Sequence, residues 1–366
     1  MAQGKVLVTA LNTGSGATKE VERSALFIGV GTLNINKIVP INAQSEFDEL
    51  ISPTDSALKT QLTAWVRNGD ALVSGWAIPI NQGDDEFALI DKAMDQNISP
   101  EIIVITTPVT GKAQVEAYQA KALDILAKHA RRVRFLVSAP GLSDAQTWTE
   151  HLAAITPLTD GVVADRVAVI PALYGDELGA VTGRLCKRSV TIADSPMRVQ
   201  TGAMALKPTP HDSNGQPITN AVTAALDAIR FSCVQFYPDF DGIYFGDVNM
   251  LDAEGGDYQK IEAGRIVDKA ARQIRIIAIY QIKNRRLNNS STGIAFGKRV
   301  LGKPLRDMSK SINIGADKFP GEIREPKDDS ISLTFMNARQ LRVSVKIQPI
   351  DSPSEILVGI MLDKDE

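Results

Sequence analysis

The chain has 366 residues, with 40 basic and 43 acidic side chains and a hydrophobic content of 44%. That balance is globular; it excludes a disordered or fibrous chain, and the length allows two or three domains with cores of their own. A net charge of −3 and an aromatic content of 5% argue against bulk attraction to nucleic acid and against a base-stacking platform.

Along the chain, residues 5–11 (KVLVTAL) read as a short extended segment, and Asn12-Thr13-Gly14-Ser15-Gly16-Ala17 as a loose tether behind it. Residues 25–31 form an apolar run of buried-strand length. Residues 45–50 open on a capping serine. Residues 56–68 carry Leu58, Leu62, Trp65 and Val66 at helical spacing, with Gly69 as the stop. Strand and helix then alternate: strands at 102–106, 133–138 and 167–171, helices at 112–129, 143–155 and 178–186. Strands separated by helices of this length pair in parallel through crossovers, so residues from about 85 to 200 read as a doubly wound α/β domain. A helix is expected at 220–230 and a long one at 262–286. Residues 331–335 and 341–347 alternate with period two and predict a hairpin with one apolar face. The run at 356–362 is apolar on both faces and needs something to cover it.

Little in the sequence reads as catalytic. Gly29-Val30-Gly31 begins like a dinucleotide loop, but Asn34 stands at the third glycine position. His129, His151 and His211 lack a second ligand at i+3 or i+4. Ser138 lacks the glycines of a nucleophile elbow. Asp239, Asp241, Asp247, Asp252 and Asp257 miss the spacing of a calcium loop. Cys186 and Cys233 predict two buried thiols rather than a disulfide framework. Met1-Ala2-Gln3-Gly4-Lys5 lacks the pattern of a secretory signal, and no run of about 18 apolar residues occurs. A soluble chain made in the cytoplasm is therefore expected, with the sequons at Asn288 and Asn289 left unmodified.

Charge is segregated. Residues 262–310 hold twelve basic and three acidic side chains, +9, which leaves −12 for the rest. On the long helix Arg265, Lys269, Arg272 and Arg275 follow helical spacing opposite Ile266, Ala270, Ile274 and Ile277. A solvated face usually mixes both signs, so this stripe predicts a docking surface for an acidic partner.

The order of these parts resembles the tail sheath proteins of contractile-tailed phages and related phage-tail-like particles. Residues 22–29 (ERSALFIG) and 62–73 (LTAWVRNGDALV) are similar to that family's N-terminal region. The three β–α repeats resemble its middle domain, which has a subtilisin-like topology without protease function. Tyr244-Phe245-Gly246-Asp247, Arg265-Ile266-Val267-Asp268 and the hairpin followed by Pro353-Ser354-Glu355-Ile356 resemble its C-terminal domain. The extra outer domains of larger sheaths are missing.

The resemblance implies an α/β fold in five parts. These are an N-terminal arm (1–20), an N-terminal α/β region (21–84), a doubly wound subtilisin-like middle domain (85–235), an α+β C-terminal sheath domain (236–353) and a C-terminal arm (354–366). It implies a structural protein rather than an enzyme, without cofactor or metal. Such a protein polymerises with itself as hexameric rings around an inner tail tube protein, meets baseplate and tail terminator proteins, and contracts to drive the tube through the target envelope. Neither membrane nor nucleic acid is a direct partner. The implied location is the virion tail, after assembly in the host bacterial cytoplasm. Val6, Leu7, Val8 and Leu11, and Ile356, Leu357, Val358 and Ile360, then lie in strands donated to neighbouring subunits. Leu333, Phe335, Val343, Val345 and Ile347 belong to the hairpin that accepts them. Lys298, Arg299, Lys303, Arg306 and Lys310 face the tube, since such tubes commonly present acidic surfaces. The competing readings are an α/β hydrolase and a nucleic-acid-binding module built on residues 262–310.

Overall fold

The computed structural model describes residues 21–359 apart from residue 338. Its larger part is a six-stranded sheet. In chain order β1 is Ser24–Val30, β2 Val39–Asn42, β3 Ser74–Ile80, β4 Ile102–Ile105, β5 Arg134–Ala139 and β6 Val167–Pro171. The spatial order is β2-β3-β1-β4-β5-β6, parallel throughout except for the antiparallel edge strand β2. From the central β1 the chain winds outward first to β3 and then, on the other side, through β4, β5 and β6. Every residue of β4, β5 and β6 is buried. Successive side chains point to opposite faces, so both faces of the sheet are covered, the arrangement that runs such as Ile102-Ile103-Val104-Ile105 require.

The covering helices are short α1 (Phe47–Leu50), α2 (Ala57–Asn68), α3 (Glu86–Asp95), α4 (Lys112–His129), α5 (Trp148–Ile155), α6 (Glu177–Cys186) and α7 (Asn220–Ala228). Their ends follow local chemistry. The Ser56 hydroxyl accepts the Lys59 N–H at the start of α2, Thr147 and Glu150 form a reciprocal cap on α5, and Ala130 in the left-handed region ends α4. α6 is buried along its whole length and packs directly on α2. A Cβ at Gly179 would lie 2.0 Å from the Gln61 carbonyl oxygen, and one at Gly183 would lie 2.5 Å from that of Trp65.

The expected seam at residue 84 is crossed by this sheet: β1 and β3 hydrogen-bond in the same layer as β4. The hairpin β7 (Val234–Tyr237) and β8 (Phe240–Phe245) also packs on this first core through Val234 and Phe245. A second core begins only within the long helix α8 (Ile261–Tyr280). It gathers Ile266, Ala270 and Ile274 with α9 (Ser291–Leu301), α10 (Lys303–Met308) and the hairpin β11 (Ile331–Asn337) and β12 (Gln340–Val345); a small hairpin, β9 (Ile312–Ile314) and β10 (Asp317–Phe319), follows α10. Because Ile261 belongs to the first core and Ile266 to the second, α8 is the physical link between them.

α8 stops at Tyr280 rather than running to residue 286. Lys283 has φ +61, and the Asn284 carboxamide oxygen accepts the Arg286 N–H (3.0 Å), a local alternative to helical bonding. No helix among the described residues is long and apolar enough to cross a membrane.

Candidate assembly surfaces

The features that suggested enzyme chemistry are otherwise engaged. Where the strand order reverses, between β1 and β4, α/β sheets commonly hold a ligand beyond their carboxyl ends. Here the Thr32 and Leu33 N–H groups, which a phosphate would need, already donate to the Ile51 carbonyl (3.0 and 2.9 Å), and Thr106 sits against Gly29. Ser138 is buried, with its hydroxyl toward the Ala139 carbonyl (3.4 Å). His151 is buried beside Trp148, and burial lowers its pKa. Asp247 accepts Ser195 (2.6 Å) and pairs with Lys260 (2.9 Å), while Asp252 accepts the N–H of Tyr258 (2.8 Å). Cys186 and Cys233 are free buried thiols pushed up to about 12 by burial.

The hairpin β11–β12 has the predicted alternation. Ile331, Leu333 and Phe335 stand opposite Val345, Val343 and Leu341, while Ser332, Thr334, Arg342 and Ser344 are exposed. Leu333, Val343, Val345 and Ile347 pack on the second core, and Leu333 fills the space left by Gly297 of α9. Phe335 is half-buried. Leu333, Val343, Val345 and Ile347 are therefore occupied within their own chain. What the hairpin leaves open is its two backbone edges, since the sheet has two strands among the described residues. Unpaired edges of this kind are templates for a further strand.

Past β12 the chain is held by Arg324 donating to the Gln348 carbonyl (2.8 Å) and Ile350 donating to the Glu322 carbonyl (3.3 Å). It then leaves the body. Ile356, Leu357 and Val358 are 76%, 88% and 76% exposed and carry no ladder bonds, so the run expected to be a strand is unpartnered within its own chain as far as it is described. Val6, Leu7, Val8, Leu11 and Ile360 lie outside the described residues.

The basic segment divides in two. On α8, Arg265, Lys269 and Arg272 are turned inward, which corrects their expected role as a docking face, while Arg275 is exposed. Arg265 is buried and bonds both oxygens of Glu101 (2.6 and 2.9 Å) and the Leu185 carbonyl (3.0 Å). Lys269 holds Glu322 (2.6 Å), and Arg272 pairs with Glu22. Between them Asp268 accepts Arg134 (2.8 Å) and Arg166 (2.9 and 3.1 Å). Burial alone would raise the Asp268 carboxyl; the two guanidinium groups hold it below the ordinary carboxylate value instead. Gly264 makes room for this, because a Cβ there would meet the Arg134 guanidinium at 1.9 Å.

The second half does face outward. Arg299, Lys303, Arg306 and Lys310 line an open groove of about 680 Å³ whose apolar wall is Ile277, Tyr280 and Val300. Asp307 is the acid in that lining, and Lys303 and Lys310 both bond it (3.1 Å each). Lys298 stands apart from the groove, donating to the Asp328 carbonyl (3.3 Å). Sequence reasoning grouped these five cations by proximity in the chain. It missed Tyr280, 77% exposed, which helical periodicity alone places on neither face decisively.

Comparison with known proteins places the chain. A profile of the family described as DUF2586 matches in two parts, its N-terminal domain over residues 3–249 and its C-terminal domain over residues 257–365. The break falls just before α8. The chain is 40% identical over 369 residues to a protein of Haemophilus phage HP1 (strain HP1c1) named as a tail sheath protein, covering 98% of each. Among solved structures it is similar in fold to a chain of the anti-feeding prophage baseplate (TM-score 0.62, 13% identity, 98% of this chain and 100% of the other). It is also similar to the anti-feeding prophage helical sheath in its contracted state (TM-score 0.59, 12% identity, 97% and 100%). Matched along its whole length by both the family profile and the phage relative, the chain belongs to the tail sheath proteins of contractile phage tails.

Proposed function

We propose that this protein is the polymerising subunit of a contractile tail, stacking as hexameric rings around an inner tube between a baseplate and a tail terminator, as part of the virion. The observation that carries the reading is an apolar segment, Ile356, Leu357 and Val358, left exposed on a chain that also presents a two-stranded hairpin with open edges. Strand addition satisfies an edge backbone while covering an apolar strand. Neither needs a partner of different sequence; a second copy supplies both. The N-terminal segment around Val6, Leu7, Val8 and Leu11 is the second donated strand in this reading, and the subtilisin-like winding of the α/β part serves as scaffold. Donation from copy to copy in one direction is a heterologous contact, which closes into rings or grows into helices.

The groove of Arg299, Lys303, Arg306 and Lys310 is proposed to face an acidic tube, with Lys298, apart from the groove, on the same basic segment. Exposed pairs contribute about 0.2–1 kcal/mol each. Repeated over many subunits they grip together and release together, which suits a sheath that holds the tube while extended and lets go on contraction. Contraction itself is a change between two packings of nearly rigid subunits. The reading is tested with two variants examined by electron microscopy. A chain ending at Pro353 should fold and stay unpolymerised, and one carrying Arg299→Glu, Lys303→Glu and Arg306→Glu should no longer assemble on tubes. Ordinary cylinders from the first count against strand donation. Tube-filled sheaths from the second count against the tube-facing groove.

A further inference from the structure

Arg265, Lys269 and Arg272 occupy positions i, i+4 and i+7 of α8, a single stripe of the helix. The carboxylates they hold share one property: each belongs to, or comes from a residue hydrogen-bonded to, the stretch where the described chain begins or ends. Arg272 pairs with Glu22, which directly follows the N-terminal segment. Arg265 holds Glu101, whose carboxylate also accepts the N–H of Arg23 (2.6 Å). Lys269, between them, bonds both oxygens of Glu322 (2.6 and 2.8 Å). The Glu322 carbonyl in turn accepts Ile350, the last backbone hydrogen bond of the C-terminal segment to its own body among the described residues. The Glu22 and Glu322 side chains are 6% and 8% exposed, so neither contact is a loose surface pair. Residues three apart on a helix have Cβ atoms about 5–6 Å apart, so Glu22 and Glu322 are both tied to one turn of α8.

We propose that Arg265, Lys269 and Arg272 are positioning residues for assembly, pinning the roots of both terminal arms to one rigid helix. This rests on the reading of the two ends as strands donated to other copies. A pinned root keeps the loose part of each arm short, which raises the effective concentration of its strand at the neighbour's hairpin. α8 suits this use because Ile266, Ala270 and Ile274 fix it in the second core.

The test removes each pair without leaving a lone buried charge. The full-length variants are Glu22→Gln with Arg272→Gln, and Glu322→Gln with Lys269→Gln. They are compared with the unaltered chain and with one lacking residues 1–20, by circular dichroism melting and by sedimentation and electron microscopy of cylinders. Both double variants should fold, with the yield of cylinders lowered about tenfold. Glu22→Arg combined with Arg272→Glu should restore the yield, a rescue that simple loss of packing would not give. Folded double variants that polymerise at the unaltered yield overturn the proposal, provided the chain lacking residues 1–20 fails to polymerise. If that shortened chain builds normal cylinders, the reading of the N-terminal arm is itself wrong and the proposal falls with it. Should one pair prove necessary for folding, the other decides.

Discussion

Glu177 is the first residue of α6 and is fully buried. One of its oxygens accepts the Tyr174 N–H; the other has no hydrogen-bond partner in the structure. Burial pushes this carboxyl up to about 7. A carboxyl whose folded pKa lies above its unfolded value stays protonated in the native state, so stability is fullest below the ordinary value of 4.5 and declines as pH rises toward 7. Glu177→Gln should therefore match the unaltered protein near pH 5 and exceed it at pH 8, by on the order of 3 kcal/mol. Urea unfolding at the two pH values checks this; an equal effect at both would mean that Glu177 is ionised in the fold. No sequence pattern marks this residue, because its burial is a product of the tertiary packing around α6.

At the scale of elements, the contact between α2 and α6 depends on two glycines meeting backbone. Alanine is the better helix former by about 1 kcal/mol, yet a Cβ at Gly179 would collide with the Gln61 carbonyl, which cannot rotate aside. Gly179→Ala should cost about 1–3 kcal/mol through separation of the helices, read as a lower urea midpoint with an unchanged slope. A stabilised variant would show that the helices have room to part. The elements themselves were largely legible. β4 and β6 are β-branched runs of strand length, α4 has a clean helical period, and β11–β12 alternates strictly. The end of α8 was not, since the asparagines at 284 and 288 bond locally and break a pattern whose apolar spacing continues.

At the scale of the molecule, α8 joins two cores by charge. Asp268 neutralises Arg134, 1% exposed, and Arg166, 12% exposed. Asp268→Ala leaves the buried Arg134 without its carboxylate and Arg166 with only Asp165 at 3.9 Å, a loss typically of about 3–5 kcal/mol. It should split a single calorimetric unfolding transition into two as the second core melts first. A single transition at the unaltered temperature would mean that the cores are held by other contacts. Because the folded pKa of Asp268 is depressed, its contribution is present above the ordinary value of 3.8 and is lost as pH falls through the lowered one.

Local pattern by itself determined the strands β1, β4, β5 and β6, most helices, the hairpin with one apolar face, and the presence of a concentrated basic segment, because periodicity and charge are properties of neighbouring residues; it missed β2 and β3, which the sheet recruits beside β1. Only the tertiary structure decided which cations are free. Arg272, Arg265 and Lys269 find their acids 250, 164 and 53 residues away, and a side chain's partner across such distances depends on how the sheet and α8 pack. The same reason places β1 at the centre of the sheet rather than in a separate leading region: hydrogen bonding between strands is not written in the strands alone.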